Sequence, residues 1–163
     1  MASLLITAWA MLLSRLTGKT DIVFGHVVAG RNAKLIGVES LCAPCIDLIP
    51  VRLHTDQSLS QLLQSTHEQF INLGEAESLG WKEIFKNCTD LPAGSRYNSV
   101  IQHQNLEERP EIALGGLRDR LGWVENPHGF VKPPPLHMIT YNSGDFLTFQ
   151  LTSSIATMTK KKM

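Results

Sequence analysis

Apolar residues recur at helical spacing near the amino terminus, with Leu4, Leu5, Ala8, Trp9, Leu12, Leu13 and Leu16 on one stripe. The spacing predicts a helix from Ser3, a residue able to cap it, to about Leu16, with Gly18 as its stop. Ala10 and Met11 widen the stripe, so more than one face of this helix is expected to be covered. The pattern then changes to a strand from Asp21 to Ala29, carried by Ile22-Val23-Phe24 and Val27-Val28. Gly25 inside that strand signals a close backbone approach or a bulge. Residues 30–44 read as an irregular loop, and Ile46 to Leu53 as the next strand. Pro50 in that strand fits a sheet edge, a bulge or an irregular pairing, because proline has no N–H to give to a ladder.

Ser58-Leu59-Ser60-Gln61 is a capping box, and it opens a helix to about Leu73. Leu59, Leu62, Leu63, Thr66 and Phe70 share one face of it, and Gly74 ends it. Residues 79–86 predict a short helix, and Asn98 to Gln102 a buried strand around Val100 and Ile101. A long polar segment follows, with Gly115-Gly116 and the run Pro133-Pro134-Pro135. Leu136 to Tyr141 and Phe146 to Thr152 then make a hairpin across Asn142-Ser143-Gly144-Asp145, residues with strong turn chemistry. Residues 1–154 are expected to form the folded unit and 155–163 a polar, frayed tail. The order of elements predicts an α/β (α+β) layered domain, with helices packed on one mixed sheet of about five strands.

Composition narrows the function classes. The 163 residues are 43% hydrophobic and 18% charged, with fifteen Lys+Arg balancing fifteen Asp+Glu. Disorder needs low hydrophobicity and high net charge, and neither holds here. A nucleic-acid binder would show a basic excess or stripe, and the only basic run is Lys160-Lys161-Lys162. No nucleic-acid partner is expected. The apolar stretch Leu4 to Leu13 is shorter than the 20 or so residues needed to span a bilayer, and no basic region precedes it as in an export signal. The expected setting is cytoplasmic, with no membrane partner and with Cys42, Cys45 and Cys88 as reduced thiols. A neutral, charge-poor surface offers little repulsion between molecules, so large faces are expected to be covered by something else.

Chemical motifs narrow the function further. Cys42-Ala43-Pro44-Cys45 is a C-x-x-C, yet a redox pair wants its first thiolate at a helix N-terminus, and the residues that follow read as a strand. Zinc would need two further ligands at ordered spacing, and Cys88 with the scattered histidines supplies no second pair. The six histidines (His26, His54, His67, His103, His128 and His137) form no H-E-x-x-H pattern. There is no G-x-S-x-G elbow and no glycine-rich phosphate loop. No metal site and no catalytic residue are expected within the chain. Two stretches remain as candidates. Gln102-His103-Gln104-Asn105 puts four hydrogen-bonding side chains at the end of an apolar strand, where they meet either a ligand or plain solvent. Gly25 to Arg31 runs a strand into a Gly30-Arg31 turn, where the arginine either lines a site or ties down carbonyls and carboxylates.

Taken together, these stretches resemble the condensation domain of nonribosomal peptide synthetases, and particularly its fungal branch. The resemblance rests on Trp9 to Leu16, Asp21-Ile22-Val23-Phe24-Gly25, Ala29-Gly30-Arg31, Ala43-Pro44-Cys45-Ile46-Asp47-Leu48-Ile49-Pro50-Val51-Arg52, Asn87-Cys88-Thr89-Asp90, and Ser99 to Asn105. It runs from about Ala2 to about Ser154. Ala43 stands where the family usually has Gly, and Asp47 where it usually has Asn. The family's catalytic motif is two adjacent histidines, three residues, then Asp-Gly, and this chain has no His-His pair.

The resemblance implies one chloramphenicol-acetyltransferase-like sandwich lobe, the C-terminal half of a V-shaped two-lobed domain with its active site in the tunnel between the lobes. It implies a chain cut before the first helix and again before the last: an N-terminal lobe missing upstream, and a closing helix missing after Ser154. The family joins aminoacyl or peptidyl groups that arrive as thioesters on the phosphopantetheine arms of carrier domains. No cofactor is then bound directly; the arm belongs to the partner carrier. Gly25, Gly30, Arg31, Pro44, Asp47, Gln102, His103, Gln104 and Asn105 would line or floor the tunnel. The implied partners are the missing lobe, carrier domains and an adenylation domain of the parent synthetase. The fragment would be inactive alone. The alternative is a non-catalytic module that binds carriers.

Overall fold

The computed structural model describes residues 1–32, 36–89, 96–104, 111–114, 117–120, 135–143 and 145–153. The predicted tail 155–163, and Asn105 among the candidate residues, lie outside them. The elements are α1 (Ala2–Thr17), β1 (Asp21–Val28), β2 (Asp47–His54), α2 (Leu59–Leu73), α3 (Gly80–Asn87), β3 (Ser99–Gln104), β4 (Glu111–Leu114), β5 (Leu117–Arg120), β6 (Leu136–Ser143) and β7 (Phe146–Ser153). Short 3-10 turns sit at Val38–Ser40 and Gly74–Leu79.

One mixed sheet of five strands carries the fold, in the order β2-β1-β3-β6-β7. The two outer pairs are antiparallel, and β1, β3 and β6 run parallel to one another in the middle. Pro50 does sit in an edge strand, where it faces Gly25 in an unbroken register. The hairpin turn is tighter than expected: Ser143 pairs with Phe146, so two residues separate the strands. The polar segment holds an antiparallel pair, β4 with β5, that hydrophobic patterning did not indicate.

Residues alternate between the two faces of a strand, and the two faces meet different helices. On one face, Ile22, Phe24, Val51, Leu53, Ile101 and Leu136 pack with Leu5, Ile6, Trp9, Ala10 and Leu13 of α1 and Leu62 of α2. Burying each such side chain stabilises the fold by about 1.5–3 kcal/mol. Polar groups caught in this layer are paired. The Thr66 hydroxyl donates to the Leu62 carbonyl (2.7 Å), which makes the Thr7 hydroxyl the donor in the 3.0 Å bond between α1 and α2. Trp9 Nε1 donates to Ser99 Oγ at 3.0 Å, fastening α1 to β3. On the other face, Phe85 of α3, Tyr97 and Val100 form a second cluster with Val27, Leu48 and Trp81.

The ends of α2 follow the sequence: Ser58 and Gln61 cap it reciprocally, and the helix stops at Leu73. Gly18 ends α1 in the left-handed conformation at φ 70°. Ser3 does not cap α1, because the helix begins one residue earlier, at Ala2, and its first carbonyl partner is Met1 (Leu5 N–H to Met1 O, 3.2 Å). Among the described residues no helix is long and apolar enough to cross a membrane.

Candidate functional site

Three parallel strands end on the same side of the sheet, and the candidate residues gather there. Val28 at the end of β1 faces Asp47 at the start of β2, Val27 faces Gln102, and Gln104 faces Tyr141 near the end of β6. In open α/β sheets the carboxyl ends of parallel strands are where loops collect and ligands meet the fold.

The Gly30-Arg31 turn is built tightly. Gly30 has φ +63°, and a Cβ there would overlap the carbonyl oxygen of Cys45. Only glycine allows the chain leaving β1 to pass so close to the chain entering β2. The Arg31 guanidinium donates to the Val38 carbonyl (2.6 Å) and the Ala43 carbonyl (3.1 Å). It thereby pins the connecting loop just before Pro44, tying down carbonyls. The neighbouring Asn32 amide donates to Glu77 Oε2 at 2.8 Å, and Glu77 is buried. Sequence reasoning passed over Glu77, since an isolated acidic residue in a polar stretch carries no pattern.

Asp47 is half-buried. Its Oδ1 accepts the N–H of Leu48 at 2.7 Å, and its Oδ2 lies 3.2 Å from where a side chain on Gly80 would begin. Gly80 has φ +75° and opens α3, so Asp47 sits directly under that helix. Tyr97 stands nearby, buried, with its hydroxyl finding no hydrogen-bond partner among the described residues. Burial, with the Asp47 charge second, pushes that phenol well above its ordinary range. Gly25 is three residues inside β1 rather than at its end. A Cβ on it would lie 2.8 Å from Tyr97 Cδ2 and 2.9 Å from Leu48 Cδ1. The structure gives Gly25 a packing function beneath the Tyr97 ring.

Gln102, His103 and Gln104 belong to β3 itself, so they alternate and do not form one row. Gln102 and Gln104 share the face of Val100 and α3, while His103 lies on the face of Ile101 and α1. His103 Nδ1 and Thr140 Oγ1 are 2.9 Å apart. The Thr140 hydroxyl, fully buried, donates to the Gln102 carbonyl at 3.4 Å, which leaves Nδ1–H of His103 as the donor to it. Burial lowers the His103 pKa, helped by the positive amino terminus and opposed by the Thr140 contact. Deeper in the same face, His26 reaches the Ile101 carbonyl at 3.3 Å and meets Phe70 edge-on. Burial drives its pKa down to about 4, so it is neutral at pH 7.

The structure brings together Gly30, Arg31, Asp47 and the end of β3, and it places no nucleophile beside a base among them. Cys42, exposed, and Cys45, partly so, are free thiols in an irregular segment leading into β2. Neither opens a helix, the setting a redox pair of this spacing wants for its first cysteine. Among the described residues no three metal-ligating side chains come together.

Comparison with known proteins converges. A family model described as Condensation domain matches residues 1–111. The chain is 43% identical over 162 residues to the nonribosomal peptide synthetase dtxS1 of Metarhizium robertsii, covering 98% of this chain and 2% of that one. It is 44% identical over 149 residues to the nonribosomal peptide synthetase TES of Alternaria alternata, covering 90% and 3%. The crystal structure of holo T3CT aligns with a TM-score of 0.77 at 28% identity, over 93% of this chain and 35% of that one. The starter condensation domain of rhizomide synthetase RzmA shares the fold, with a TM-score of 0.72 at 18% identity. The chain thus spans a few per cent of its curated relatives and about a third of the solved structures. On these grounds the chain belongs to the condensation-domain family of nonribosomal peptide synthetases.

Proposed function

We propose that this chain is the C-terminal lobe of a condensation domain and supplies one wall of its tunnel and one carrier-docking face. The observation that carries the reading is the match over 93% of this chain to 35% of a longer structure, by a sequence with no His-His pair. In the reaction of the family, an acceptor amine attacks the carbonyl carbon of a donor thioester. The tetrahedral intermediate collapses to an amide, the phosphopantetheine thiol leaves, and the amine's proton passes to a base or to solvent. Holding two tethered reactants in line supplies several kcal/mol of the barrier reduction without strong acid–base chemistry. This lobe's part is that holding. The rigid Gly30–Arg31–Asp47 corner and the end of β3 form a fixed wall, and the histidine that positions the amine or takes its proton comes from the other lobe.

The reading is tested by carrier binding. Phosphopantetheine-loaded carrier protein immobilised on beads is expected to retain the 163-residue chain, and unloaded carrier to retain less. Retention of neither removes the docking face from the account. Retention by loaded carrier, with no turnover even when the N-terminal lobe is supplied, favours the purely carrier-binding module.

A further inference from the structure

The segment 30–46, between β1 and β2, is tied mostly to itself. Gly30 lies against the Cys45 carbonyl, and the Arg31 guanidinium donates to the Val38 and Ala43 carbonyls at 2.6 and 3.1 Å. Ser40 Oγ donates back to the Gly37 carbonyl. These bonds give the segment a shape and leave its position on the fold open. Among the described residues, one side-chain hydrogen bond leaves it: Asn32 Nδ2 donates to Glu77 Oε2 at 2.8 Å, across 45 positions of sequence. Glu77 is 6% exposed. Glutamate is almost never buried to that degree unless paired, and a carboxylate acceptor makes a hydrogen bond roughly twice as strong as a neutral one does. Glu77 belongs to the 3-10 turn Gly74–Leu79, which runs straight into α3. That helix begins at Gly80 against Asp47 and sets Phe85 on Val100 of β3. The bond therefore joins two parts of the corner, the Gly30-Arg31 turn on one side and α3 with β3 on the other.

We propose that Glu77, acting through Asn32, is a positioning residue for amide formation: it sets residues 30–46 at one distance from β3, so that the tethered reactants meet in line. The role rests on the reading of this chain as a tunnel wall. Glu77 touches no reactant; it holds the wall that does. A displacement of about 1 Å in such a wall costs up to roughly 100-fold in rate. The carriers still dock when the bond is lost, so the loss falls on kcat and spares KM.

The test is radiolabel condensation with two loaded carriers and the N-terminal lobe supplied in trans. Glu77→Ala is expected to lower kcat by roughly 10- to 100-fold, with the carrier KM within about twofold of wild type. Glu77→Gln keeps an acceptor for the Asn32 amide and is expected to stay within about threefold of the wild-type rate. Asn32→Asp sets two carboxylates face to face and is expected to match Glu77→Ala. Adding Glu77→Gln to it restores a donor and is expected to recover the rate. Ser58→Ala, which costs stability at the opposite end of α2, is expected to leave kcat unchanged, separating position from stability. Hydrogen exchange on the 163-residue chain alone is expected to quicken at residues 36–46 in Glu77→Ala and to hold at residues 99–104. No product from the wild type overturns the tunnel-wall reading and this role with it. Product from the wild type and equally from Glu77→Ala overturns this role alone, as does unchanged exchange at residues 36–46. A Glu77→Gln chain as slow as Glu77→Ala, or a Ser58→Ala chain that slows as much, overturns it too.

Discussion

Replacing Gly25 with alanine adds one methyl group at a place already full. The new Cβ would sit 2.8 Å from Tyr97 Cδ2, 3.1 Å from Tyr97 Cγ and 2.9 Å from Leu48 Cδ1. Leu48 can turn its Cδ1 away. The Tyr97 ring cannot, because the Phe85 ring lies 4.9 Å from it and Val100 packs in the same cluster. Overpacking of this kind costs about 1–3 kcal/mol. With a urea m-value of about 2 kcal/mol/M, a cost of about 2 kcal/mol lowers the unfolding midpoint by about 1 M. Equilibrium urea unfolding followed by tryptophan fluorescence reads this, and m is expected to stay constant. In a Tyr97→Leu background Gly25→Ala is expected to cost little, a coupling of about 1–2 kcal/mol between touching side chains. A Gly25→Ala midpoint within 0.2 M or so of the wild type would refute the reasoning, since it would mean that the ring and strand can separate freely.

Other outcomes follow from the same packing. Tyr97→Phe removes a buried hydroxyl with no partner among the described residues, so the thermal midpoint is expected to hold or rise; a clear fall would show that the hydroxyl is bonded. Ser99→Ala strands the buried Trp9 N–H, and calorimetry is expected to show a loss of about 1–3 kcal/mol. Ser58→Ala removes the α2 cap, with an expected loss of about 1 kcal/mol in urea unfolding. His26 gives the pH dependence. The unfolded chain takes up a proton there near pH 6.5, while the folded chain refuses it until about pH 4. Stability is therefore full above pH 6.5 and falls as the pH drops toward 4, by about 3 kcal/mol at about 1.36 kcal/mol per pH unit. His103 and His137, also lowered by burial, add in the same direction. Urea midpoints measured from pH 7 to pH 4 check this, and His26→Asn is expected to flatten most of the slope.

Local features were legible where one residue type answers one local need. The Ser58–Gln61 box, the left-handed Gly18 and the edge position of Pro50 each follow from backbone chemistry within a few residues. Gly25 announced a close approach, but its partner, Tyr97, lies 72 residues away, and nothing local marks it. The parallel neighbours of β1 and β6 around β3 depend on long-range pairing, which periodicity does not carry. β4 and β5 hid in a polar segment because Glu111 and Arg118-Asp119-Arg120 break the alternation that marks a strand. At the site, the run of polar residues after Ile101 was visible, yet extending β3 through Gln104 divides that run between two faces. The family resemblance supplied the order of motifs; the structure supplied which of them touch.

We propose that this chain holds reactants for an amide-forming tunnel whose catalytic histidine lies on another lobe. The direct measurement is amide formation from a radiolabelled donor thioester and an aminoacyl acceptor, each on its own carrier protein. No product above background is expected with the chain alone, and product is expected once a His-His-x-x-x-Asp-Gly lobe is added in trans. Product formed by the chain alone would contradict it.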